Sequence, residues 1–139
     1  MMTGKIVVVL KAVIIHQGRI LILKRSGSDK VGAGGWETAG GNLEFGEDLD
    51  SALIREIKEE AGIHASIDRL LFATTFFTDP GRQIVLLSYL CRTDEPRVTL
   101  SHEHDEYRWA TKSELVQYLP EAIISDFTKH GVFALPELI

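Results

Sequence analysis

The sequence has one cysteine, no long apolar run and a shortage of positive charge among its 139 residues. Cys91 has no partner within the chain, so no disulfide framework can staple the fold, which fits a reducing compartment. In the apolar-rich stretch at residues 83–92 it reads as a small packed hydrophobe. Lys5, Lys11 and His16 interrupt the N-terminal apolar stretch before it nears the roughly 18 residues that a bilayer span requires, so no membrane segment is expected. The opening residues offer only weak versions of the positive start and apolar stretch of a secretory leader, and no small-residue cleavage site. They read as a first strand, and the expected setting is cytoplasmic. A net charge of −5 argues against non-specific nucleic-acid binding, which depends on Lys and Arg neutralising phosphates. It leaves phosphate substrates open, because divalent cations can supply the missing positive charge.

What is present is the composition of one compact domain with a core: 45% hydrophobic and 25% charged residues, without repeats or low-complexity segments. Two stretches rich in Val, Ile and Leu, residues 5–15 and 20–24, flank a turn at residues 16–19 and predict a hairpin. Residues 27–35 are glycine-rich and aperiodic, hence a loop, and residues 36–41 predict a short extended segment ending in the pair Gly40-Gly41. Residues 48–61 predict a helix capped by Asp48 and stopped by Gly62. One or two strands are expected over residues 63–78, a turn at residues 79–82, a strand over residues 83–92 and a short strand over residues 106–110. Thr111 or Ser113 can cap a helix running towards Tyr118, and a last helix spans residues 121–129. The apolar tail after Gly131 can pack on the domain or on a partner chain, which leaves a homodimer possible. Because strands and helices mix without regular alternation, an α+β architecture with a mixed sheet between helices is favoured over a doubly wound parallel fold.

On the predicted helix, Leu53, Ile54, Ile57 and Ala61 share one arc, and Glu56, Glu59 and Glu60 the neighbouring one. Glu56 lies at i,i+3 from Glu59 and at i,i+4 from Glu60, spacings at which like charges repel by a few tenths of a kcal/mol per pair. Taken alone, such a face is ordinary solvated helix surface. A hard divalent cation such as Mg²⁺, which takes oxygen ligands, would offset the repulsion directly.

The surrounding register decides between these. Gly41 is followed after five residues by Glu47, and after seven more by Arg55-Glu56-Ile57-Lys58-Glu59-Glu60-Ala61-Gly62-Ile63. Seven specified residue types at roughly 7% frequency each would coincide by chance on the order of once in 10⁸ starting points. This pattern resembles the Nudix box in full. The resemblance implies a Nudix-type α/β/α sandwich and a Mg²⁺- or Mn²⁺-dependent pyrophosphohydrolase, with the Gly40 carbonyl, Glu56, Glu59 and Glu60 as metal ligands. It implies scaffolding roles for Glu47 and Arg55, and a small nucleotide-type substrate with a phosphoanhydride bond: a nucleoside triphosphate, an oxidised nucleotide, a nucleotide sugar or a dinucleoside polyphosphate. Thr38-Ala39 stand where many members have Leu-Pro, a departure that bears on loop stiffness more than on metal chemistry.

Glu103 and Glu106 sit where family members often supply a further glutamate, and the run Glu103-His104 before Tyr107-Arg108-Trp109 is similar to one in dinucleoside polyphosphate hydrolases, although it is also compatible with a solvated loop and a core Trp109. The water-activating base is therefore expected at Glu56 or Glu60 first and Glu103 second, with Arg55 orienting the glutamates. Lys24, Arg25 and Trp36 are candidate substrate contacts, and Phe76, Phe77 and Tyr89 candidate stacking or core residues. The residues from Gly32 to Gly35 lack both the P-loop ending and the dinucleotide spacing, and His102 with His104 lacks a third zinc ligand. The alternative of a catalytically silent nucleotide-sensing module would go with a degraded box or an attached DNA-binding domain. An isoprenoid diphosphate isomerase would need a longer chain and a suitably placed cysteine.

Overall fold

The computed structural model describes residues 3–27 and 34–139. Seven strands, β1 (Lys5–His16), β2 (Arg19–Arg25), β3 (Trp36–Glu37), β4 (Ala39–Asn42), β5 (Ser66–Asp79), β6 (Arg82–Arg92) and β7 (His104–Ala110), form one mixed sheet. Helices α1 (Leu49–Ala61), α2 (Lys112–Tyr118) and α3 (Glu121–Lys129) cover it. Along its path the sheet runs β3-β2-β1-β6-β5, with β4 also on β1 and β7 also on β2. β1 pairs in parallel with β6 on one side, and on the other divides its length between β4 (Val9 to Ala12) and the start of β2.

β1 and β2 are apolar on consecutive residues because both faces of the sheet are covered, as is usual for central strands. Leu10, Ala12 and Ile14 of β1, with Leu21 and Leu23 of β2, pack on α1, while Val13, Ile15, Ile20 and Ile22 pack under α2 and α3. The expected mixed sheet between helices is what the chain forms.

Local chemistry sets the helix ends. The Asp48 carboxylate accepts the Ser51 N–H at 2.8 Å, and Gly62, at φ +67°, donates its N–H to the Lys58 carbonyl. Thr111 and Glu114 form a reciprocal capping box at α2.

Several expectations change in detail. Residues 36–41 are not one extended segment: Trp36 and Glu37 pair with β2, the chain breaks at buried Thr38, and β4 pairs with β1. Residues 66–79 form one strand, and β7 begins at His104. The tail folds back on its own domain: a 3₁₀ turn at Val132–Ala134 leads Leu135 and Leu138 into the core, and the Ile139 N–H reaches the Gly18 carbonyl at 2.9 Å. Most of the glycine-rich loop, including Gly32, lies outside the described residues.

The α1 face is also rotated from the expected one. Ile54 is 40% exposed, whereas Glu60 is only 6% exposed and Ala52 joins Leu53, Ile57 and Ala61 in the core. At 100° per residue Glu60 lies about 20° from Leu53 and Ile54 about 100° from it, so a contact that includes Ala52 carries Glu60 in and Ile54 out. Leu53→Ala is accordingly expected to lower the unfolding free energy by about 2–5 kcal/mol, and Ile54→Ala to change it by about 0.5 kcal/mol or less, as read by urea denaturation.

Candidate metal and substrate site

The site forms where α1 lies on β4, and two residues without side chains shape it. A Cβ at Gly40, which has φ +149°, would overlap the Leu10 carbonyl, and one at Gly41 would overlap the Glu56 carboxylate. With that space free, the Gly40 N–H donates to Glu60 Oε1 at 2.8 Å and the Glu56 carboxylate rests against Gly41.

Arg55 organises the other box glutamates. Its guanidinium takes Glu47 in a fork, Nε to Oε2 at 2.7 Å and Nη2 to Oε1 at 2.8 Å, while Nη1 reaches Glu56 Oε1 at 2.8 Å and Glu59 Oε2 at 3.2 Å. Those bonds, with a further one from the Glu44 N–H, hold the Glu47 carboxyl down at about 2.

The opposite influence dominates on the inner side. Burial pushes Glu60 up to about 7 against the pull of Lys11 and the Gly40 N–H, and burial raises Glu56 against the pull of Arg55. Both carboxylates are therefore short of positive charge. Among the described residues no three His, Cys, Asp or Glu side chains converge as a ready ligand cluster, since Arg55 draws Glu56 and Glu59 and the Gly40 N–H takes one oxygen of Glu60. The donors nevertheless suit a hard cation: carboxylate and carbonyl oxygens, desolvated and under-compensated, beside a cleft of about 550 Å³ that leaves room for water and phosphate.

The structure brings Gly40, Gly41, Glu56, Glu60, Glu103 and Arg25 to the walls of that cleft. Glu47 and Arg55 lie behind it, and Gly62 closes the helix. Glu59, with 58% of its side chain exposed, stands apart on Arg55. Lys24 and Trp36 are turned elsewhere: Lys24 pairs with Glu106 at 2.9 Å, and the Trp36 ring lies 5.5 Å from that of Tyr118. The reason is strand alternation, which sends neighbours to opposite faces. Arg25 rather than Lys24, and Glu37 rather than Trp36, face the cleft.

Sequence reasoning missed the cleft residues Lys11, Glu37 and Arg82, and named His104, behind them, only within the Glu103-His104 run and as an incomplete zinc pair. Glu37 accepts from Lys11 Nζ at 3.3 Å, Arg25 Nη1 at 3.1 Å and His104 Nε2 at 2.8 Å. Burial alone would raise its pKa, but Lys11, the His104 hydrogen bond and Arg25 overcome that and bring it to about 2. The available clue was a lysine in the middle of an apolar strand. Nothing in the two-residue strand Trp36–Glu37 marked Glu37.

The raised Glu60 carboxyl has a consequence for stability. A carboxylate whose folded pKa, about 7, lies above its ordinary 4.5 resists ionisation, so the penalty is absent below pH 4.5 and complete above pH 7. It amounts to about 3 kcal/mol. In metal-free buffer the melting temperature is expected to fall between pH 5 and pH 8, and Glu60→Gln, which keeps an acceptor for the Gly40 N–H, to remove most of that fall. Identical pH profiles for the two proteins would rule out a buried ionised Glu60.

The NUDIX domain family description matches residues 5–129. The CTP pyrophosphohydrolase of Escherichia coli K12 is 33% identical over 115 residues, which cover 82% of this chain and 82% of that protein. Among solved structures, the MutT protein from Methanosarcina mazei Go1 matches with a TM-score of 0.84 at 24% identity, over 94% of this chain and 96% of that one. The solution structure of the E. coli ORF135 protein matches with a TM-score of 0.71 at 30% identity, over 88% and 86%. A box complete in register, folded as a loop and helix against a mixed sheet, together with a family match over most of its length, makes this chain a member of the Nudix hydrolase family.

Proposed function

We propose that the chain hydrolyses a phosphoanhydride bond in a nucleoside-linked diphosphate or triphosphate, with Mg²⁺ or Mn²⁺ as cofactor. The observation that carries this reading is a single cleft in which Glu56, Glu60 and Glu103 are joined by Lys11, Arg25 and Arg82. Carboxylates suit divalent cations, and guanidinium and ammonium groups suit the phosphates that come with them.

Glu56, Glu59, Glu60 and the Gly40 carbonyl would hold the metal, with Arg55 and Glu47 keeping the carboxylates oriented. The metal, when bound, supplies Lewis-acid neutralisation of phosphate charge and acidifies water. Lys11 and Arg25, steadied by Glu37, would orient the phosphates. Among the three candidate bases, Glu60 already accepts from the Gly40 N–H and Glu56 from Arg55, whereas the Glu103 side chain makes no hydrogen bond or ion pair among the described residues. We assign proton acceptance from the attacking water to Glu103.

A second cleft of about 570 Å³ shares Val9, Lys11 and Glu37 with the first. Phe76 and Leu86 of the sheet and Ala122 and Ile123 of α3 give it apolar walls, a suitable seat for a nucleoside whose phosphates extend into the charged cleft. The likeness to a CTP pyrophosphohydrolase supports nucleoside triphosphates as the first substrates to try. No helix among the described residues is long and apolar enough to cross a membrane. The proposed setting is the cytoplasm, where the buried thiol of Cys91 stays reduced.

Nucleoside triphosphates, nucleotide sugars and dinucleoside polyphosphates should be incubated with Mg²⁺ or Mn²⁺ and both products separated chromatographically. At least one is expected to be cleaved, chelator to stop the reaction, and Glu56→Gln to lower kcat by about 100-fold or more with the fold retained by circular dichroism. Undiminished turnover in chelator or in Glu56→Gln would refute the metal-dependent reading.

A further inference from the structure

His104 is buried at a cost that packing does not explain. Its side chain is 1% exposed and Nε2 lies 2.8 Å from Glu37 Oε2, yet Nδ1 is buried without a hydrogen-bond partner among the described residues. Because the Glu37 carboxylate can only accept, Nε2 donates to it, and Nδ1 is the ring atom left without a hydrogen bond among the described residues. A buried polar atom left without a hydrogen bond is destabilising. A leucine would fill the same space without that penalty, so the hydrogen bond to Glu37 rather than the bulk of the ring is what the position uses.

That bond fixes the chain at the entry to β7. His104 is the first residue of the strand and pairs with Arg25 where the β2–β7 register shifts. The preceding residue is Glu103, whose carbonyl accepts the Ser26 N–H at 2.8 Å and whose N–H reaches Ser101 Oγ at 3.3 Å. The Glu103 backbone is thus held on both sides, while its carboxylate joins Glu56 and Glu60 in the cleft. Glu37, the anchor for His104, also binds Lys11 and Arg25, so one carboxylate connects the strand that presents Glu103 with the cations opposite.

We propose that His104, through its hydrogen bond to Glu37, is a positioning residue that sets the Glu103 carboxylate for proton acceptance. The proposal rests on the assignment of Glu103 as the base. A base displaced by even a fraction of an ångström loses reach to the water proton while substrate contacts elsewhere remain, so the effect falls on kcat and leaves KM nearly unchanged.

The test is a double-mutant cycle between positions 103 and 104, measured at saturating Mg²⁺ on a nucleoside triphosphate that the wild type cleaves. His104→Leu, which keeps the volume and removes the bond, is expected to lower kcat roughly 10- to 100-fold with KM within about twofold. His104→Gln, whose side-chain amide can donate to Glu37, is expected to restore most of the activity. In the Glu103→Gln background His104→Leu is expected to have no further effect, since the group that it positions is already inert. Independent losses that multiply in the double variant would overturn the positioning role and leave Glu103 as base. A Glu103→Gln protein with wild-type kcat would instead remove the base assignment, and the positioning role with it. If His104→Leu does not fold, His104→Asn, too short to reach Glu37, takes its place in the same cycle.

Discussion

Residues 40 and 41 present no side chains, so β4 lies tightly on the β1 backbone at Leu10 and the Glu56 carboxylate rests on Gly41, where a Cβ would displace it. At this contact between α1 and β4 Glu60 is buried and Glu56 half-buried. Burial raises the energy of both anions. The chain thereby holds negative charge where water cannot fully solvate it, a state that a divalent cation relieves more effectively than it would relieve glutamates in bulk solvent. The Gly40-Gly41 pair is thus as much a part of the proposed metal chemistry as the glutamates themselves.

Arg55 and Glu37 divide the remaining electrostatics into two hubs of opposite sign. Arg55 is one cation among three glutamates, and its fork on Glu47 leaves a single nitrogen to steer both Glu56 and Glu59. Glu37 is one anion among Lys11, Arg25 and His104. The first hub lies behind the carboxylate wall, and the second borders both the charged cleft and the apolar one. A substrate with a polyanionic end and a flat apolar end matches that division, and the two clefts meet at Val9, Lys11 and Glu37, where those ends would join.

Much of this could be read before any coordinates. The caps Asp48 and Gly62, the spacing of Glu56, Glu59 and Glu60, and the box register are local properties, carried by residues a few positions apart. The same holds for the hairpin of β1 and β2 and for the last helix, whose bounds the apolar pattern and turn residues give directly. Local reasoning failed where two distant segments had to be compared. Ile54 and Glu60 exchanged places because the helix contact includes Ala52, and a wheel drawn on one helix has no information about where the sheet lies. Lys24 and Trp36 face away from the cleft because alternation within a strand is fixed only once the strand has a partner and a register.

Sequence by itself determined the family and the proposed metal-binding residues, since a glycine pair, an arginine and four glutamates at set spacings on one loop and helix need no distant partner to be recognised. Tertiary structure alone decided what surrounds it. Lys11, Arg25, Glu37, Arg82, Glu103 and His104 come from five different strands and the approach to one of them, and their roles arise from burial and mutual distance. A carboxylate that titrates at about 7 and another that titrates at about 2 are the same residue type in the chain. Only the low-dielectric surroundings of Glu60, and the three donors gathered around Glu37 by strand pairing, set them apart.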